Sequence, residues 1–263
     1  MKKIIALVLA VAMIASVAML AGCGNSNSKQ SGGGSTKEKL TMATNATFPP
    51  YEYKEGEEFV GIDVEIAKAI ADKLGMELEI ADIEFDSIIT GVQTGKYDMG
   101  MAGMSVTDER KQSVDFSDSY ATGIQSVIVP ENSPITSVDD ILAEGATYKV
   151  GVQLSTTGDI YISDDLGDAA AERVTQFQTG NDAVTALVSG KVDAVIIDNE
   201  PAKSYVAANE GLKVLDTEYV VEDYAICFAK NNTELKDKVN SALKELIADG
   251  TVKGIVDKYI SAK

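Results

Sequence analysis

The chain contains no histidine. Ser-His-Asp and Cys-His nucleophiles are thereby excluded, as is any His-ligated metal site. Cysteine is almost as scarce: with only Cys23 and Cys227 in 263 residues, a structural zinc site is not expected. There is no Walker-type phosphate loop and no Gly-x-Gly-x-x-Gly fingerprint after a strand, so neither a nucleotide nor any other cofactor is called for. Positive charge is also in deficit, with 23 basic against 41 acidic residues and a net charge of -18. That balance argues against nucleic acid and anionic lipid as partners, and favours solubility and cationic or zwitterionic ligands. These absences point to a binding protein rather than an enzyme.

The first apolar run is Ile4 to Leu20, uncharged and preceded by Met1-Lys-Lys. It reads as an export signal. The following Leu20-Ala-Gly-Cys23 resembles a lipoprotein signal, with residues 1–22 removed and Cys23 lipidated. A membrane-spanning anchor, for which the run is near the minimum length, and an ordinary secretory peptide are the alternatives. Residues 23–37, rich in Gly, Ser and Asn, would form a flexible tether holding the folded part off the membrane. The expected location is extracytoplasmic, anchored by lipid. Without residues 1–22 the chain has 21 basic and 41 acidic residues, a net charge of -20. With Cys23 lipidated no internal disulfide is possible, and Cys227, within the apolar Tyr224 to Ala229, reads as a buried small residue.

About 225 residues remain for the body, enough for two small lobes or one large domain. Leu40 to Thr44 reads as a strand, followed by a loop, Asn45 to Tyr53, with two prolines and three aromatics that can present side chains. Ile62, Ile66, Ile70 and Leu74 recur at helical spacing, and Gly75 suits a left-handed cap. A strand from Glu77 to Ile83 leads to Asp86, the expected cap of a helix carrying Ile88, Ile89 and Val92. An internal echo follows: Thr90 to Asp98 and Thr185 to Asp193 share Thr, Gly-Lys and Asp at equal spacing, each a helix end leading into a strand. The strands are Met99 to Ala102 and Ala194 to Ile197. Lys149 to Gln153 likewise opens onto a polar loop, as Leu40 to Thr44 does. Two similar α/β lobes would turn the carboxyl ends of their strands to a shared cleft, where open α/β sheets bind ligands. The second lobe would include a strand from Ile124 to Val129, a helix from Ser137 to Leu142, a loop from Leu154 to Asp159 with a helix after it, and a helix begun at Asn199 with Pro201 in its first turn. Tyr224 to Ala229 would return to the first lobe, and Asn232 to Asp249 would close it as an amphipathic helix. Two strand crossings imply a hinge.

The functional reading rests on Met101 to Asp118. Thr107 is the expected N-cap of a short helix, with Asp108 and Glu109 in its first turn and Arg110 beside them. The Arg110 guanidinium could hold a carboxylate together with amides and hydroxyls at Ala102, Gly103 and Ser105. Alternatively it is a surface residue paired with Glu109 or Asp115.

Gly-Ile-Asp-Val-Glu-Ile at 61–66, Met-Ala-Gly-Met-Ser-Val-Thr-Asp-Glu-Arg at 101–110, Asp-Phe-Ser-Asp at 115–118 and Val-Asp-Ala-Val-Ile-Ile-Asp at 192–198 occur in order. Together they resemble the polar amino-acid solute-binding proteins (family 3) of bacterial ABC importers, from about Leu40 to the C-terminus. The resemblance implies a two-lobed type II periplasmic-binding-protein fold with a central cleft and a two-strand hinge. Its lobes would be residues 38–123 plus 225–263, and 124–224. It implies a monomer that captures an L-amino acid and delivers it to an ABC permease and its ATPase. By the same resemblance Arg110 clamps the α-carboxylate with Ser105 and the backbone of Ala102 and Gly103, and Thr156 and Thr157 contribute from the second lobe at a helix N-terminus. Asp198 takes the α-ammonium, and Phe48 and Phe85 flank the ligand side chain. On residue type alone Asp198 could instead cap the helix behind it, and either Phe could be core. Position 45 is Asn where relatives that bind cationic side chains or glutamine often carry Asp, and position 153 is Gln where a base sometimes occurs. The expected ligand is therefore a neutral polar amino acid, with Glu84 or Glu52 as the acids that could restore a cationic one. An amino-acid-sensing surface receptor module and a dehydratase on this fold, with Glu84 as its acid or base, are the competing readings.

Overall fold

The computed structural model describes residues 37–260; the expected signal, Cys23 and the expected tether up to residue 36 lie outside them. Within this span the backbone builds two sheets of the same plan. In the first, the order is Glu77–Asp82, Lys39–Thr44, Met99–Gly100, Cys227–Ala229, Val114–Phe116. In the second it is Val174–Phe177, Val150–Gln153, Ala194–Asp198, Ala121–Pro130, Leu212–Val214, with Val220–Tyr224 also paired to Ala121–Pro130. The first three strands of each run parallel and the fourth antiparallel. This is the two-lobed α/β architecture expected from the sequence.

Alternation along the strands explains the layering. In Lys39–Thr44, Leu40 and Met42 face Ile62, Ile66 and Ile70 of the helix Ile62–Leu74 and Leu243 and Leu246 of Thr233–Ala248, whereas Ala43 faces Ile88, Val92, Met104 and Cys227. Both faces of each sheet are covered by apolar side chains, so the open edges left for ligands are the strand ends. Cys227 is fully buried, and burial pushes its thiol up to about 12. Among the described residues no helix is long and apolar enough to cross a membrane.

The internal echo is one joint built twice. Gly95 and Gly190 end their helices at φ 71° and 70°, and Asp98 and Asp193 each accept a backbone amide from the neighbouring strand, Thr41 N at 2.7 Å and Lys149 N at 2.8 Å. Two chain segments link the sheets, and they run together: Ser117 N donates to Ile226 O at 2.9 Å and Tyr120 N to Tyr224 O at 3.0 Å.

Three expectations are corrected. Asn45 to Tyr53 is not simply a loop. Thr47–Phe48, Glu52–Glu55 and Glu58–Val60 form a small antiparallel sheet, turned at Gly56 with φ 63°. Asp86 caps no helix; it sits inside the 3-10 turn Phe85–Ser87, which feeds straight into Ile88–Gln93. A further helix, Thr251–Tyr259, follows Gly250, with Val252, Ile255, Val256 and Tyr259 on its packed face.

Candidate functional site

The carboxyl ends of the strands converge on a cavity of about 310 Å³ lined by Asn45, Phe48, Glu52, Phe85, Ala102, Gly103, Ser105, Arg110, Gln153, Thr156, Thr157 and Asp198. All ten candidate residues are in that wall, together with Glu52 and Gln153. Glu84 is exposed and does not line it.

The helix expected to be capped by Thr107 starts later, at Arg110 with Glu109 at its N-cap position, but Thr107 still ties down the turn that leads into it. The Thr107 hydroxyl accepts from Arg110 N at 3.1 Å and the Thr107 carbonyl from Lys111 N at 3.0 Å. Arg110 is not a surface residue: it is buried, its guanidinium lies 5.4 Å from the Phe85 ring centroid, and it donates to Ser105 O at 2.8 Å and to Ser155 O at 3.0 Å. Those two carbonyls belong to opposite sides of the cleft, and three N–H donors remain for a ligand. Burial lowers the Arg110 pKa, opposed by the nearby charges of Glu222 and Asp198.

On the facing side, Thr156 caps the helix Thr157–Leu166, accepting from Asp159 N at 3.4 Å, so the first amides of that helix open toward the cavity. Thr157 donates its hydroxyl to Glu222 at 2.7 Å and lies 3.3 Å from the Ser105 hydroxyl across the cleft. Gln153 spans the cleft too, donating to Asn45 Oδ1 at 2.9 Å, while Tyr205 donates to Thr47 O at 2.5 Å. The cleft is closed over the cavity.

Asp198 ends the strand Ala194–Asp198 and makes no side-chain cap to the helix Asn199–Ala208 behind it. Its carboxylate accepts from the Tyr224 hydroxyl and from Gln125 Nε2 at 2.9 Å. Burial raises it to about 7, with Glu222 adding to the rise and the two hydrogen bonds opposing it. An acid held this way lacks a cation, which a ligand ammonium would supply.

One expected contact is corrected. The Gly103 amide donates to Asp63 Oδ2 at 2.8 Å and is not free for a ligand carboxylate, which leaves the Gly103 carbonyl as the group it can offer.

Several residues of the site were not singled out from the sequence. Gln125 lies directly across the ladder from Asp198, and its amide also reaches Glu222 at 3.1 Å; Tyr161 donates to the same Glu222 at 3.0 Å. Gly123 leaves room for the Tyr224 ring, since a Cβ there would stand 2.4 Å from it. The available signal was polar residues at inward-facing strand positions: Gln125 within Ile124 to Val129, and Glu222 two residues from Tyr224.

Over residues 40–262 the chain matches the family described as bacterial extracellular solute-binding proteins, family 3. It belongs to that family. It is 37% identical over 250 residues to the arginine-binding extracellular protein ArtP of Bacillus subtilis (strain 168), covering 93% of each chain. Among solved structures it is similar to an ancestral arginine-binding protein bound to glutamine, at 40% identity and a TM-score of 0.79, covering 86% of this chain and 99% of that one. The same holds for an ancestral arginine-binding protein bound to arginine, at 39% identity and a TM-score of 0.79, covering 86% and 100%. These relatives are named for binding and not for catalysis, and the chain is an extracytoplasmic solute-binding protein with the type II periplasmic-binding fold.

Proposed function

We propose that this protein captures one L-amino acid between its lobes and delivers it to an ABC importer. The observation that carries the reading is a single closed cavity with a permanent cation, Arg110, and a cation-deficient acid, Asp198, in its wall. The α-carboxylate meets Arg110, Ser105 and the helix N-terminus at Thr157. The α-ammonium meets Asp198 and the Gly103 carbonyl. The side chain extends toward Phe48, Phe85, Asn45, Glu52 and Gln153, whose polar groups suit a long polar side chain, amide or cationic. Asn45 lacks the charge that a cationic ligand wants, and Glu52 supplies it.

The ligand contacts both lobes, one built on each sheet; the second begins at Ala121 rather than at residue 124, because Ala121–Pro130 is one strand of the second sheet. The ligand therefore binds the closed state better than the open one and shifts the population toward it, which is the signal the permease and its ATPase read. The protein acts as a monomer, held to the membrane through lipid on Cys23, the residue that follows the apolar leader.

Thermal unfolding of the purified protein with each of the twenty amino acids, cystine and ornithine tests the reading. A ligand that binds only the folded state raises the melting temperature, by about 2.7 kcal/mol of added stability at a hundredfold excess over Kd. One or a few L-amino acids should do so, and Arg110→Ala and Asp198→Ala should each abolish the shift. No shift with any of them, in a cooperatively folded protein, would refute the amino-acid clamp.

A further inference from the structure

The far wall of the cavity holds two carboxyl groups that the clamp does not use. Glu52, on the strand Glu52–Glu55, is fully buried, lines the cavity, and finds no donor for either oxygen. Asp63, in the first turn of the helix Ile62–Leu74, is fully buried directly behind it. Its Oδ2 accepts from Gly103 N and from the Tyr120 hydroxyl, each at 2.8 Å, and its Oδ1 has no donor. The Asp63 amide donates to the carbonyl of Tyr51, the residue before Glu52, at 2.9 Å, and the charge of Asp63 adds to the burial that raises Glu52. Two like charges side by side in a buried place without a cation oppose each other's ionisation, and one proton held there relieves both.

The surroundings give no other remedy. Among the described residues neither acid has a lysine or arginine partner. The titratable groups facing the pair are Tyr51, Tyr120, Tyr205 and Asp198, and each either adds negative charge or remains neutral. Burial raises both acids, Asp63 to about 7 and Glu52 well above the usual carboxylate range. Asp63 already has two donors, so of the two it ionises first and Glu52 keeps the proton. A buried, partnerless carboxyl in the wall of a ligand cavity is a site for a donor that arrives with the ligand.

We infer that Glu52 and Asp63 share one proton in the empty site, that a ligand with a cationic side chain expels it on binding, and that an amide side chain leaves it in place. The O–H bond of Glu52 breaks, its proton passes to solvent, and the new negative charge is balanced by the guanidinium or ammonium that replaces it. With an amide ligand Glu52 stays neutral and exchanges neutral hydrogen bonds. One cavity thus takes both classes, and pH sets the preference between them. The inference rests on the amino-acid reading above.

The experiment is isothermal titration calorimetry of the purified protein with arginine and with glutamine, in phosphate and in Tris, between about pH 6 and pH 8. Both ligands present the same α-ammonium to Asp198, so any proton released there cancels between them. Arginine should release up to about one proton more than glutamine, and the ratio of arginine to glutamine affinity should rise by up to about tenfold per pH unit. Glu52→Gln should remove the excess proton release and weaken arginine about tenfold or more. Equal proton counts with both ligands bound would overturn the inference and leave the function intact, as would binding of glutamine without arginine. No binding of any amino acid would overturn the functional reading itself.

Discussion

At the scale of single residues, the site divides into groups whose chemistry announces itself and groups whose role depends on where the fold puts them. Arg110, Asp198 and Ser105 stood out because they sit in ordered motifs beside strand ends, and all three line the cavity. Glu222, Gln125 and Asp63 did not, because a carboxylate or amide in a strand or helix reads as solvated until its neighbours bury it. Expecting Gly103 to give its amide to the ligand failed for the same reason: Asp63 is forty residues away in sequence and 2.8 Å away in space. Gly61 shows the same dependence for backbone. It adopts φ 121°, and a Cβ there would stand 2.2 Å from the Tyr51 carbonyl, which receives the Asp63 amide at 2.9 Å. Gly61→Ala should therefore cost at least about 2 kcal/mol in urea unfolding, from strain and collision together. A loss below about 0.5 kcal/mol would mean that the Pro50 to Asp63 turn yields freely.

Among elements, strong periodicity was legible and short pieces were not. The helix Ile62–Leu74 ends at Gly75 with φ 70°, as its spacing and final glycine require, and the repeated Gly-Lys…Asp joint has the same hydrogen bond in both sheets. The small sheet from Thr47 to Val60 was hidden because its strands are two to four residues long, too short for alternation to register. The last helix was missed because Gly250 looks like an end, although here it is a left-handed joint to Thr251–Tyr259. The element that matters most is a helix of only four residues, Arg110–Ser113, which aims the guanidinium. Its first amide, Arg110 N, is held by the Thr107 hydroxyl in the turn before it. Thr107→Ala should lower stability by about 1 kcal/mol and the melting temperature by roughly 2–4 °C. It should also weaken ligand binding more than Thr136→Ala, a distant substitution that serves as the control. Equal affinities in the two variants would separate that hydrogen bond from the aim of Arg110.

For the whole molecule, the two sheets share one plan, and the cavity lies where their strand ends meet, so ligand binding and closure are one event. The cost of that arrangement is a cluster of buried acids, Glu52, Asp63 and Asp198, within a chain that is already strongly negative. Each has a folded-state pKa above its unfolded value: Asp63 and Asp198 move from 3.8 to about 7, and Glu52 rises well above 4.5, all mainly through burial. For a raised carboxyl the folded state binds more protons than the unfolded chain in the window between the two pKa values. The stability these groups contribute is thus fully present below about pH 4 and lost as pH rises through about 7. Exposed carboxylates shifted the other way, such as Asp118 and Asp140, lose their contribution only at the acid end of that window. The empty protein should therefore be more stable at about pH 5 than at about pH 8, by at least about 2 kcal/mol, seen as a melting temperature several degrees higher. Saturating amino acid should flatten the dependence, because an ammonium on Asp198 makes its ionised form the stable one. General easing of charge repulsion would also favour pH 5, but Asp63→Asn would leave most of that effect in place while removing the share of Asp63. An empty protein that melts lower at pH 5 than at pH 8 would mean that the three acids are ionised in the fold, and that the cavity is hydrated rather than closed.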